Sequence, residues 1–441
     1  MDDGLVRRIA DLAAANGWIW LDEGAEAYAV DGVRPLALAQ PSTLEEAARL
    51  LDLARRERLA VIPRGSGTKL HLGAPPRAAH LVLSTEHLAQ VVEHTPADLT
   101  VTVQAGTRLA DLQTVLARHG QFLPLDPPYA DRATIGGILA TNASGPLRLR
   151  YGAGRDLVIG TRVANTNGTV TRAGGKVVKN VTGYDLNKLH IGALGTVGVL
   201  GEVTFKVVPL PAASRTVAAA FATPEPTADL VRTLVRTPAV PTALEVLDPA
   251  AAARCAPDWP GGWLVLALAT GFLPQVRRQV EECAALARRL GAQTVEVLET
   301  AEPLWTAVRE FPAVRPGEPV LVTRISLPLQ GVLPVMTQAI HLAGRFGFQP
   351  ALLSHAGVGI IWGRFAPAEP GAEAVGDLVA HLRRLAGEHG GFLVVEACPP
   401  AWKVGIDVWG PIGPSLALMR RLKAAYDPEN ILNPGRFVGG L

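Results

Sequence analysis

Two glycine-rich stretches constrain this 441-residue chain more than any other feature: Pro63-Arg64-Gly65-Ser66-Gly67-Thr68-Lys69 and Thr134-Ile135-Gly136-Gly137-Ile138-Leu139-Ala140-Thr141-Asn142-Ala143-Ser144-Gly145. The first follows a short apolar run, Leu59 to Ile62, and sets two glycines among small polar residues. Several backbone N–H groups can therefore turn toward one anion with no side chain in the way, which is how a protein holds a phosphate. The second stretch is small-residue backbone again, long enough to lie against something flat or extended. Together they point to a dinucleotide laid along a groove.

The chain is too long for one ordinary core and suits two domains, or three. Lys and Arg number 42 against 40 Asp and Glu, a formal charge of +2. No basic run is long enough to track a nucleic-acid backbone, which argues against a nucleic-acid partner. The densest basic patch, Arg148 to Arg155, reads either as a solvated loop or as an anion-facing surface. Cys255, Cys283 and Cys398 are far apart and show no C-x-x-C spacing, so an iron–sulfur cluster or structural zinc would have to sit on a partner. Met1-Asp2-Asp3 lacks the order of a secretory signal, and the longest apolar run, Trp263 to Ala269, is far short of a membrane span. The expected location is the cytoplasm, peripheral to the inner membrane if partners carry it there.

A β-α-β unit is expected first. Leu36 to Ala39 reads as a strand, Ser42-Thr43-Leu44-Glu45 as a capping box opening a helix to about Arg58, and Leu59 to Ile62 as the strand that ends at the glycine loop. Leu81 to Ser84, Val91 to His94 and Leu99 to Val103 read as further strands. Thr107 is placed to cap a helix running to His119. Leu157 to Asn165 and Thr169 to Ala173 form a hairpin across Asn167-Gly168. Pro209-Leu210-Pro211 marks a boundary. Beyond it, alanine- and arginine-rich helices such as Gln275 to Leu290 alternate with apolar strands near Trp263 to Ala269, Leu321 to Ile325, Gly357 to Trp362 and Gly391 to Val395. A last helix, Ser415 to Tyr426, leads into a polar, rigid tail.

These stretches, with Lys179 to Leu189, Gly195 to Leu200 and the closing Pro428 to Arg436, resemble the vanillyl-alcohol-oxidase or PCMH-type FAD-linked oxidases, in the D-lactate and glycolate dehydrogenase branch. Within that branch the chain looks most like the FAD-binding E component of glycolate oxidase. The resemblance covers roughly residues 35 to 210 and 415 to 437. It implies an α+β chain with a bipartite FAD domain, residues 1–212 with a returning segment 400–441, and an inserted cap, 213–399. By that analogy Arg64 to Lys69 (Arg64, Gly65, Ser66, Gly67, Thr68, Lys69) hold the pyrophosphate, with Pro63 before them in the cofactor set. Thr134, Ile135, Gly136, Gly137, Ala140, Thr141, Asn142, Ser144 and Gly145 contact the diphosphate, ribityl chain and flavin. Val199 lies on the adenine side and Asn433 at the flavin edge. Pro127, Tyr151, Gly152, Gly195, Val197 and Gly198 complete the cofactor set. Thr68 stands where relatives with covalently attached FAD place a histidine, so non-covalent FAD is expected, with His71 a loop residue. Tyr184 and Asp185 are read as packing beside the flavin.

The pattern breaks in the cap. Relatives carry H-x-G-D-G-N-x-H there and take a glutamate from a later S-G-E-H-G segment. Here the first becomes His355-Ala356-Gly357-Val358-Gly359-Ile360-Ile361-Trp362, and Glu396 is followed by Ala397-Cys398-Pro399. One histidine and one carboxylate are a poor site, so no metal is expected. The resemblance leaves three readings open. The chain is an FAD-bearing component of a glycolate oxidase-like 2-hydroxy-acid dehydrogenase, beside a second FAD subunit and an iron–sulfur subunit. Alternatively it is a self-sufficient oxidoreductase, with His355 as base and Arg324 or Lys403 as anion anchor. In the third reading it is a non-redox assembly component that holds FAD only to keep its shape. An internal salt bridge at Arg324 and a solvent-directed Lys403 are the bland alternatives.

Overall fold

The computed structural model describes residues 3–22, 24–176, 184–237, 240–367 and 372–441. The fold is α+β, built on three sizeable sheets. The first orders its strands Ile19–Trp20, Ala37–Ala39, Leu81–Ser84, Val61–Arg64, the last three mutually parallel. Helix Leu44–Arg56 connects two of them and buries Leu44, Ala47, Ala48, Leu50, Leu51 and Ala54 on one face. Its cap is shifted by one residue from the expected box. Thr43 Oγ1 accepts from Glu46 N, and Glu46 reaches back to Ser42 N, because Thr43 is the residue with extended backbone. Thr107 caps nothing: helix Leu109–Ala117 follows Arg108, whose side chain makes no capping bond.

The second sheet is antiparallel, in the order Val91–Thr95, Thr100–Gln104, Val199–Lys206, Val158–Ala164, Val170–Gly174. The hairpin read across Asn167-Gly168 is present, with Ala164 opposite Val170.

The third sheet comprises eight antiparallel strands, in the order Thr294–Leu298, Ala213–Phe221, Trp263–Gly271, Ala243–Leu247, Phe348–His355, Ile360–Pro367, Leu321–Ser326, Phe392–Ala397. Alternation gives it two apolar faces. One packs under helices Pro224–Leu234, Leu273–Arg289, Val332–Arg345 and Ala372–Glu388. The other carries the short helices Pro249–Cys255 and Glu302–Glu310 and turns toward the glycine loops. There Glu310 accepts from Tyr129 N at 2.7 Å, and Val314 N donates to the Tyr129 hydroxyl at 2.7 Å. The strand expected at Gly357 to Trp362 starts only at Ile360. Gly357 to Gly359 form the hairpin turn after Phe348–His355, a strand the sequence reading missed, and Gly359 sits at φ +72°. Among the described residues no helix is long and apolar enough to cross a membrane.

Candidate active site

Strand Val61–Arg64 delivers Pro63 and Arg64 at its C-terminal end, and the chain then turns through Gly65 to Lys69. The backbone N–H groups of Gly65, Ser66, Gly67, Thr68 and Lys69 donate to no acceptor among the described residues. A run of free amides of this kind is an anion cradle. Gly67 takes φ +78°. The loop rests directly on Thr134: a Cβ on Gly65 would stand 2.1 Å from Thr134 Oγ1. Thr134 caps helix Ile135–Thr141 by accepting from Gly137 N.

These elements enclose an open cleft of about 620 Å³, lined by Pro63 to Leu70, Pro127, Pro128, Ala133, Thr134, Gly137, Ile138, Ala140, Thr141, Ala143, Leu194, Asn433 and Arg436. It runs on past Pro63, Arg64, Gly65, Gly137, Ala140 and Leu194 into a second hollow of about 460 Å³, where Gly136, Gly195, Gly198, Val199, Thr85, Ala105, His190 and Leu200 stand. Ile135, Asn142, Ser144, Gly145, Tyr151, Gly152 and Val197 line neither part. Ile135 is buried on the inner side of the helix it opens, and Asn142 ends that helix in the left-handed region. Gly145 lies against Asp126, and Ser144 accepts from Arg148. Tyr151 packs on Phe122, Gly152 meets Asp156, and Val197 is core. Leu70, Pro128, Leu194, Arg436 and His190 escape the sequence reading, because they reach the groove only through tertiary packing. The segment Lys179 to Gly183 lies outside the described residues. Tyr184 is 94% exposed and Asp185 pairs with Lys188, so neither packs in the site.

On the sheet face that Lys69 reaches, five adjacent strands each contribute one polar or aromatic side chain to a row that steps by two residues between His355, opposite Ile360, and Trp362: Glu245, His355, Trp362, Arg324 and Glu396. Register explains the row. Glu245 lies opposite His355, and Arg324 opposite Trp362. Glu396 is the extra residue of a β-bulge, since Thr323 pairs with Val395 and Val322 with Ala397; the bulge aims it across the face. His355 Nδ1 donates to Glu245 Oε2 at 2.7 Å, and its Nε2 accepts from Trp362 Nε1 at 3.0 Å. Both ring nitrogens are thus occupied, and His355 is a hydrogen-bonded core residue with no free lone pair to act as base. Burial pushes the Glu245 carboxyl up, and His355 pulls it back.

Glu396 receives Arg324 Nε at 2.7 Å and Lys69 Nζ at 3.2 Å, and Lys69 also sits 5.7 Å from the Trp362 ring centroid. Burial alone would raise the Glu396 carboxyl, but the charges of Lys69 and Arg324 override it and bring it down to about 2. Arg324 is therefore both salt-bridged and incompletely used, because only its Nε has a protein partner among the described residues. Close by, Arg148 is held below the ordinary arginine value by burial and by the charge of Arg324. A divalent cation does not fit here. Cationic side chains already flank the carboxylate, the histidine is capped by an indole, and no group of three or more His, Cys, Asp or Glu among the described residues could hold a metal.

Lys403 is not an anion anchor, nor does it reach solvent. Its Nζ is buried and donates to Asp31 Oδ2, His71 O and Gly73 O at 2.8, 2.6 and 2.9 Å, which uses all three protons. Arg436 likewise donates to Leu70 O, Leu72 O and Asn433 Oδ1. The returning tail thus clamps the backbone just beyond the glycine loop.

The comparisons with known proteins agree with this architecture. Residues 35–174 match the FAD binding domain, and residues 210–396 with 412–437 match the C-terminal domain of FAD linked oxidases. Glycolate oxidase subunit GlcD of Bacillus subtilis is 30% identical, over 91% of this chain and 88% of its own length. D-lactate dehydrogenase of Archaeoglobus fulgidus is 29% identical, over 95% and 99%. Glycolate oxidase subunit GlcE of Escherichia coli is 38% identical, but over only 37% of this chain and 47% of its own, so the resemblance to GlcE is partial. In fold, p-cresol methylhydroxylase superposes with a TM-score of 0.77, over 98% of this chain and 96% of its own, at 16% identity.

The chain is an FAD-linked oxidase. It belongs to the glycolate oxidase and D-lactate dehydrogenase family and is an FAD-dependent oxidoreductase. Its residues fit the cofactor: free amides at Gly65 to Lys69 suit the diphosphate, and Gly136 and Gly137 at the start of the helix supply a stretch of wall free of side chains. Gly65→Ala is expected to weaken FAD binding at least tenfold, about 1.4 kcal/mol. The measurement is flavin per chain after dialysis against graded FAD.

Proposed function

We propose that this chain oxidises a small 2-hydroxy acid to the 2-oxo acid, with the eight-stranded unit as its cap and Arg324 and Arg148 holding the substrate carboxylate. The observation that carries this is charge: Lys69 and Arg324 meet a single buried carboxylate, Glu396, beside the half-buried Arg148. An incompletely paired guanidinium joined through Glu396 to the cleft-lining Lys69 is stabilised by an incoming carboxylate, and the planar fork suits it. Bound FAD supplies the two-electron acceptor, held non-covalently because the Thr68 hydroxyl offers no ring nitrogen for attachment. The protein's own share is to orient the acid against the cleft and to keep charge balanced as it binds.

The test is anaerobic bleaching of the yellow holoprotein by glycolate, D-lactate and D-2-hydroxyglutarate. Arg324→Met is expected to raise KM for the responding acid by about 10- to 100-fold with a smaller change in kcat, the loss of a charged hydrogen bond made in ground and transition state alike. An unchanged KM would remove Arg324 from the site.

A second reading, favoured by the partial likeness to GlcE, makes this chain one flavin component of a larger glycolate oxidase, passing electrons to an iron–sulfur partner at the membrane periphery. Bleaching that requires partner chains would select it.

A further inference from the structure

We propose that the ammonium of Lys69 is a catalytic group of this chain, donating a hydrogen bond to the carbinol oxygen of the hydroxy acid as that oxygen becomes a carbonyl. The inference rests on the substrate reading above and deepens it.

Lys69 closes the glycine loop and lines the cleft, yet its side chain reaches across to the large sheet, to Glu396 and the face of Trp362. Among the described residues, Lys69, Lys403 and Lys423 keep buried or nearly buried ammonium groups in ion pairs, and two of these are saturated. Lys403 has its three acceptors, and Lys423 has Asp427 Oδ2, Thr196 O and Leu432 O at 2.6, 2.9 and 2.8 Å. Lys69, with its side chain 13% exposed, has a single hydrogen-bond acceptor among the described residues. Leaving N–H donors of a charge without acceptors in so sheltered a place is costly, and these open on the cleft. They supply what oxidation of an alcohol needs. Oxidised flavin, when bound, would take the Cα hydrogen with its electron pair, the O–H proton would leave to solvent, and the C–O bond would become C=O. Negative charge builds on the oxygen as the proton leaves, and a fixed ammonium in a sheltered site opposes it most when it is greatest. His355 cannot take this place, since Trp362 occupies its Nε2. Glu396 holds the lysine in position and, held down to about 2, remains an anion.

The experiment uses the FAD-loaded chain and its Lys69→Met and Lys69→Ala variants. Flavin content, the rate of anaerobic flavin reduction by glycolate and D-lactate, and the affinity for oxalate read from the flavin spectrum are measured. Lys69→Met is expected to keep its flavin, to bind oxalate about tenfold more weakly, and to reduce about 10²- to 10³-fold more slowly. Equal reduction rates and equal oxalate affinity in the flavin-loaded variant would overturn the proposal. If methionine costs the flavin, Lys69→Ala at saturating FAD decides: acceleration by added ethylammonium supports the role, and no response refutes it. A wild-type holoprotein that no hydroxy acid bleaches, alone or with partners, sinks the substrate reading itself and the lysine's role with it, a result distinct from a silent substitution.

Discussion

Lys423→Met is expected to destabilise the holoprotein by about 3–5 kcal/mol and to release FAD, because it removes one partner of a buried ion pair and strands the other. Lys423 lies in helix Ser415–Tyr426 and points inward, where its three protons go to Asp427, to Thr196 O in the Gly195–Gly198 turn, and to Leu432 O. Asp427 in turn accepts from Ile431 N and Leu432 N. This knot holds the tail where Val61 N donates to Ile431 O and Asn433 N donates to Val61 O, alongside the strand that delivers the phosphate loop. One substitution therefore loosens two walls of the cleft together. Lys188→Met is the control. That lysine is about half exposed and pairs at the surface with Asp185, so the loss should stay within about 1 kcal/mol. Urea unfolding of both variants, followed by flavin fluorescence and far-UV dichroism, separates the outcomes. A Lys423→Met chain as stable as the control, with full flavin, would show that the tail does not brace the site.

The phosphate loop is legible in the sequence because its meaning is local. Two glycines, small polar neighbours and a preceding apolar strand suffice to predict free amides, whatever the rest of the chain does. The row facing it is not legible, since pairing brings Glu245 to His355 across 110 residues and Lys69 to Glu396 across 327. Arg324 reads correctly as needing a partner, but a bulge has to be known before Glu396 can be aimed at it. Lys403 misleads for the same reason. Its acceptors, Asp31 and the carbonyls of His71 and Gly73, lie more than 300 residues away, and long lysine stems reach solvent by default. The helix errors are small and have local causes: at Thr43 the backbone conformation, not the S-x-x-E spelling, chooses the cap.

His355→Leu decides whether the histidine is chemistry or architecture. The ring stands between Glu245, fully buried with its Oε1 without a partner among the described residues, and the indole of Trp362. Removing it leaves a buried carboxylate with no hydrogen bond, and the expected loss is about 3–5 kcal/mol. Replacing the pair together, Glu245→Leu with His355→Leu, takes the charge away as well and should recover most of that stability, since an apolar pair often matches or exceeds a buried ionic one. Turnover per bound flavin should stay within severalfold of the native rate in the double variant, because neither nitrogen of the native ring is free to meet a substrate. A double variant that folds, holds flavin and yet reduces it more than a hundredfold more slowly would return His355 to the role of base, and the indole bond would then have to open during the reaction.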